Sequence, residues 1–176
     1  MRGEMARAAD HPASARAYRS GGTALFLGSA VILTALGFEH IGGFTPCPLC
    51  LMQRWAYYAA IPVLFVAMAL ASEKPRIAAL LFFLVALGFL ANAVLGGYHA
   101  GVEWKLWPGP DTCATAQNMP GTASEILSGM NERVIRCDEA AWRLLGLSFA
   151  GWNVVASLAL MGISMQAAFA ASERVR

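Results

Sequence analysis

The stretch IAALLFFLVALGFLANAVLGGY, Ile77 to Tyr98, runs for 22 residues without a charged side chain. At the rise of an α-helix this length spans about 33 Å, enough to cross the roughly 30 Å hydrocarbon layer of a bilayer. Three more apolar runs lie on either side of it: GTALFLGSAVILTALGF from Gly22 to Phe38, WAYYAAIPVLFVAMALA from Trp55 to Ala71, and LSFAGWNVVASLALMGISMQAAFAA from Leu147 to Ala171. The composition agrees, with 57% hydrophobic and 14% charged residues, where a soluble domain carries about a quarter charged. A net charge of +2 without a basic block offers no track for nucleic acid. The 176 residues leave no room for a separate soluble enzyme.

The expected fold is therefore an all-α membrane protein, a four-transmembrane-helix bundle. Its spans cover about 22–38, 55–71, 77–98 and 147–171, between an N-terminal tail, 1–21, and a C-terminal tail, 172–176. The first run is read as a retained span, because Gly42-Gly43 makes a poor signal-peptidase site and the preceding tail is long. Pro62 is tolerable in a membrane helix, where neighbours satisfy the freed carbonyl.

Charge sets the expected sidedness. Arg2, Arg7, Arg16, Arg19, Lys74, Arg76, Arg174 and Arg176 fall on the side of both termini. The short loop, residues 39–54, has no Lys or Arg before Arg54, and the long loop, 99–146, balances its cations with carboxylates. The positive-inside rule makes the termini cytoplasmic and both loops external. Trp55, Trp104, Trp107, Trp142 and Trp152 cluster at the outer ends of the spans, as an interfacial belt does. All four cysteines, Cys47, Cys50, Cys113 and Cys137, then face outward, which in a bacterium means the oxidising periplasm beyond the inner membrane.

The sequence FTPCPLCLMQR, residues 44–54, carries the chemistry. As a brace, a Cys47–Cys50 bond would be feeble. Loop closure gives about 2 kcal/mol for so small a ring, against about 3.5 kcal/mol for a ring from Cys113 to Cys137. A tight pair makes better sense as a reactive one. Cys50 is expected near the N-terminus of the second helix, whose exposed N–H groups stabilise a thiolate, with Arg54 one turn along adding positive charge. Pro46 and Pro48 restrict the backbone around the pair. A zinc site would need a second close ligand pair, and a c-type haem needs His where Leu51 stands. Two purely structural disulfides are the plain alternative.

PCPLCLMQR between the first two spans, YHAGVEWKLWPGPDTC after the third, a further cysteine, and LGLSFAGWN opening the fourth resemble the disulfide bond formation protein B family. The resemblance covers about residues 22–170. It implies a quinone-dependent membrane oxidase that recharges a periplasmic DsbA-type thiol oxidase, with ubiquinone or menaquinone as cofactor. By that resemblance, Cys113 is attacked by the reduced partner and Cys137 resolves the mixed disulfide. Cys47–Cys50 is the quinone-proximal pair with Cys50 facing the ring, and Arg54 and His99 belong to the quinone site. Such a partner is strongly oxidising, at about −120 mV, so recharging it takes a quinone rather than an ordinary protein disulfide. A vitamin K epoxide reductase-like enzyme is the nearest rival, but its quinone-proximal pair usually lies late in the chain.

The remaining expectations are local. Glu103, one turn beyond His99, is a candidate neighbour of the quinone. Asn92 is expected to bond another helix, and Gly96-Gly97 to allow close packing. The stretch TASEILSGMNERVIR, Thr122 to Arg136, reads as an amphipathic helix lying on the outer membrane surface.

Overall fold

Each apolar run becomes a helix, and each helix reaches beyond its run at one end or both. A computed structural model of the chain describes residues 12–110 and 137–174. Helix α1 spans Pro12–His40, α2 Pro48–Leu70, α3 Pro75–Glu103 and α4 Phe149–Glu173. All four are long and apolar enough to cross a membrane. Cys113 and the stretch expected as a surface helix, 122–136, lie outside the described residues, as do 1–11.

The boundaries correct the sequence reading at three places, one being that α2 starts at Pro48, seven residues ahead of Trp55, so Cys50 and Arg54 are helical rather than part of the loop 39–54. Helix α1 starts at Pro12, ten residues ahead of Gly22, so half of the expected tail is helix. Ala13, Ala17, Gly21, Ala24 and Gly28 are all buried. Small residues at four- and three-residue intervals make a face flat enough for a neighbouring helix. Arg16 and Arg19 lie off that face, and Arg16 pairs with Glu173 at the end of α4. Helix α3 runs on to Glu103, so His99 and Glu103 are helical rather than the start of a loop.

The helices pack as a ring in which α1 meets α2, α2 meets α3, α3 meets α4 and α4 closes on α1. Its interior is lined by small residues, among them Ala24, Ala60, Ala67, Ala78, Ala86 and Ala167, with Phe82, Phe89, Leu64 and Leu160 filling the gaps. Phe26, Leu33, Phe65, Leu84, Leu90, Val94, Leu158 and Phe169 point outward. That inside-out distribution suits lipid, where close backbone approach rather than apolar burial holds helices together. Asn92 meets the expectation for it, donating to Ser157 Oγ at 3.0 Å and Asn153 Oδ1 at 3.3 Å across the α3–α4 contact.

Before α4 the chain makes a small hairpin, β1 Arg143–Leu144 against β2 Leu147–Ser148. Leu145 and Gly146 take φ values of 52° and 84°, the two left-handed positions of a type I′ turn. Phe38 of α1 and Phe149 of α4 stack with Trp142, with ring centroids 5.1–5.7 Å apart. This cluster pins the hairpin over the same end of the bundle as the Cys47 loop.

Gly96 faces α4 at close range. A Cβ there would meet Val154 Cγ2 at 3.0 Å and Asn153 Nδ2 at 3.1 Å, whereas at Gly88 it would meet nothing within 4 Å. Gly96→Val should destabilise the detergent-solubilised protein by about 1–3 kcal/mol, the usual cost of overpacking. Gly88→Val should melt like the parent. Equal melting of the two variants would contradict this packing.

Candidate active site

The short loop reverses after α1 and delivers Cys47 to the start of α2. Gly43 makes the turn possible with φ +69°, a conformation that costs other residues strain. Cys47 is the N-cap of α2, in extended backbone, with Pro48 as the first helical residue. Its Sγ accepts the N–H of Cys50 at 3.3 Å, the role a serine or aspartate oxygen usually fills.

Cys47 and Cys50 are free thiols with their sulfurs 3.1 Å apart. From α3, His99 brings Nε2 to 3.6 Å from Cys47 Sγ. The hydrogen bond from the Cys50 side chain holds Cys47 far below the ordinary thiol value, to about 4, against the opposing effect of burial and with further help from His99. The pair shares one thiolate between two sulfurs at the start of α2, with the hydrogen bond from Cys50 and the approach of His99 favouring it on Cys47.

Four of the residues singled out in the sequence come together here: Cys47, Cys50, His99 and Glu103. His99 is 2% exposed, with Glu103 Oε1 at 3.9 Å one turn below. Glu103 in turn accepts from Ser148, whose Oγ also takes the Gly151 N–H and so caps α4. One hydroxyl ties the end of α3 to the start of α4.

Arg54 turns elsewhere. It pairs with Glu39 at the end of α1, and its side chain is only 13% exposed. Sequence spacing alone gave it no partner but the cysteine pair. The pair with Glu39 fixes the guanidinium at the rim, where Leu51, Met52 and Trp55 are exposed to the bilayer side.

Cys137 is 1% exposed and shares one buried apolar cluster with Cys47, Leu49 and Val102, bordered by Cys50 and Leu95. It is disulfide-bonded. Cys47 and Cys50 being free, its bond is not with either of them. Cys47, Cys50 and His99 hold their sulfur and nitrogen atoms within 4.8 Å of one another. Among the described residues this group ends at three, one short of a closed zinc site.

Gln53, Asn153, Tyr57 and Ser157 were not singled out in the sequence. Gln53 Nε2 lies 2.9 Å from His99 Nδ1, and Asn153 Nδ2 donates to Gln53 Oε1 at 2.7 Å. Tyr57 Oη donates to Asn153 Oδ1 at 2.7 Å. The available signal was an uncharged amide at the edge of each of two apolar runs, since polar groups at membrane depth are costly without partners.

The profile of the family described as "Disulfide bond formation protein DsbB" matches residues 19–167. The chain belongs to the DsbB family. It is similar to disulfide bond formation protein B of Methylococcus capsulatus, 33% identical over 150 residues, which cover 78% of this chain and 85% of the relative. The protein of that name from Aromatoleum aromaticum is 31% identical over 144 residues, 75% and 83% of the two chains. The one from Acinetobacter baumannii is 29% identical over 152 residues, 82% and 86%. No solved structure matches the chain. As a DsbB-family chain with four spanning helices, it is a multi-pass membrane protein of disulfide bond formation.

With a depressed value, Cys47 remains a thiolate from neutral pH downward and takes up its proton only near the value of about 4. The ultraviolet thiolate absorbance of the reduced protein should titrate there, and His99→Leu should move the midpoint up. A midpoint near 9.0, the ordinary thiol value, would contradict the cap geometry.

Proposed function

We propose that the protein reoxidises a periplasmic DsbA-type thioredoxin-fold oxidase by disulfide exchange and passes the electrons to a membrane quinone. The observation that carries this reading is the shared buried cluster, which sets a disulfide-bonded Cys137 beside a free, thiolate-forming Cys47. Disulfide exchange needs sulfurs that can approach, and it is favoured where a participating sulfur is stable as a thiolate. Cys137 and Cys47 share the buried cluster, and Cys47 is the sulfur stabilised as a thiolate once its own disulfide is opened.

The steps balance in thiols. Reduced partner thiols attack a Cys113–Cys137 disulfide and leave oxidised, converting it to two thiols. Those two thiols then reduce a Cys47–Cys50 disulfide and regain their own bond. The Cys47–Cys50 dithiol finally gives up two electrons and two protons and closes again to a disulfide. A quinone held there would supply the two-electron, two-proton acceptor for that closure.

The residues present suit such a group. Cys50 is half-buried at the bundle rim, beside the exposed Leu51, Met52 and Trp55, so a lipid-borne ring can reach it sideways. Arg54, held by Glu39, supplies fixed positive charge at that rim, and His99 lies behind the sulfurs as a proton carrier. Cys50 and Arg54 would hold the head group, either ubiquinone or menaquinone, with His99 acting on it through the sulfurs. The charge asymmetry of the loops supports an inner-membrane orientation with both termini cytoplasmic and the cysteines periplasmic.

Purified protein mixed with quinone and a reduced thioredoxin-fold partner should consume quinone, and Cys50→Ser should abolish this. Arg54→Ala should raise the quinone KM about tenfold or more, the worth of a charge-assisted hydrogen bond, with the partner KM little changed. No quinone consumption by the parent, or full activity of Cys50→Ser, would sink the reading.

A further inference from the structure

Beneath the thiol pair a string of neutral polar side chains runs down the middle of the bundle. Ser157 and Asn153 come from α4, Asn92 from α3, and Tyr57 and Gln53 from α2. It ends on the ring nitrogen of His99 that faces away from the sulfurs. Gln53, Asn92, Ser157 and Tyr57 are all buried.

We infer that Gln53, oriented by Asn153, is a positioning residue that fixes the tautomer of His99 and keeps the imidazole N–H directed at Cys47. The inference rests on the thiol-oxidase reading of the site but concerns a residue that reading does not use.

The direction of the hydrogen bonds carries the argument. Asn92 Nδ2 and Tyr57 Oη both donate to Asn153 Oδ1. With its oxygen so occupied, Asn153 presents Nδ2 to Gln53, whose Oε1 accepts at 2.7 Å. Gln53 is left with Nε2 toward His99, 2.9 Å from Nδ1. An amide nitrogen only donates, so Nδ1 must accept and the ring proton must sit on Nε2. Nε2–H then lies 3.6 Å from Cys47 Sγ and 3.9 Å from Glu103 Oε1. The imidazole donates to the thiolate instead of competing for its proton.

Among the described residues, the charged and titratable groups facing His99 are few. Cys47 and Cys50 approach from α2, and Glu103 lies on its own helix, with Ser148 and the charge of Arg143 acting on Glu103. Glu103 and Cys47 both face Nε2. On the Nδ1 side stands Gln53, a neutral donor. The tautomer is therefore set by the amide string, a device that works at membrane depth without placing a charge there.

The test reads the ring directly. Protein labelled with 15N-histidine contains His11, His40 and His99, and a His99→Phe sample assigns the third signal. In the reduced parent, Nδ1 of His99 should show the shift of an unprotonated acceptor and Nε2 that of an N–H. Gln53→Glu replaces the donor by a carboxylate that only accepts, so Nδ1 should become protonated. Asn153→Asp removes the donor to Gln53 Oε1, so the Gln53 amide should turn, donate Nε2–H to the new carboxylate and present Oε1 to His99, which then carries its proton on Nδ1. Should a charged variant fail to fold, Gln53→Met, similar in volume and uncharged, should leave His99 as a mixture of both tautomers. An unprotonated Nδ1 retained in the folded variants would overturn the inference, as would a parent that carries its proton on Nδ1. The signal needs neither quinone nor partner, so a protein that fails to reduce quinone yet shows these shifts separates the two claims.

Discussion

The approach of His99 to Cys47 is the contact on which the site depends. It joins the capped start of α2 to the far end of α3, and it exists only because each helix is carried past its apolar run. Cys47 can sit at the cap because Gly43 turns the loop and Pro48 opens the helix. His99 can reach it because α3 continues to Glu103. Burial of an imidazole between the two is tolerable because both its nitrogens have partners, Gln53 on one side and the sulfur and Glu103 on the other.

The same constraint organises the rest of the bundle. A polar group at membrane depth has no water to turn to, so each must find a partner within the protein. Asn92, Asn153, Tyr57 and Ser157 meet that demand jointly, each bonding across a helix contact. Glu103 meets it through the hydroxyl that caps α4, so the end of α3, the hairpin and the start of α4 are set as a unit. Around this polar spine the small residues let the backbones close, and the large apolar side chains are left for lipid.

The four spans were legible because an uncharged run such as Ile77 to Tyr98 has few other uses. Their ends were less so. The Pro12–Gly21 segment carries Arg16 and Arg19 and reads as a tail by average hydropathy, yet Ala13, Ala17 and Gly21 share one buried face and only packing reveals that face. The hairpin before α4 escaped notice since its strands are two residues long and its turn puts a leucine at positive φ. The cysteine pair announced itself by spacing, but the approach of His99 to Cys47 did not, because it brings together residues fifty-two apart in the chain. The partner of Arg54 was hidden because Glu39 lies fifteen residues away across a loop. Gln53 and Asn153, a hundred residues apart, meet only once the bundle closes.

The central claim is that Cys47 is the sulfur through which electrons pass from the Cys137 side to the quinone side. Cys50→Ser leaves Cys47 without its partner, so exchange with the neighbouring disulfide should stop half-way. Keeping that variant at neutral pH without added reductant, so that the Cys47 thiolate can attack the intact Cys137 disulfide and release its other sulfur as a thiol, then quenching with acid and mapping disulfides by mass spectrometry, should reveal a Cys47–Cys137 bond. A map in which Cys47 stays a free thiol throughout would contradict the account.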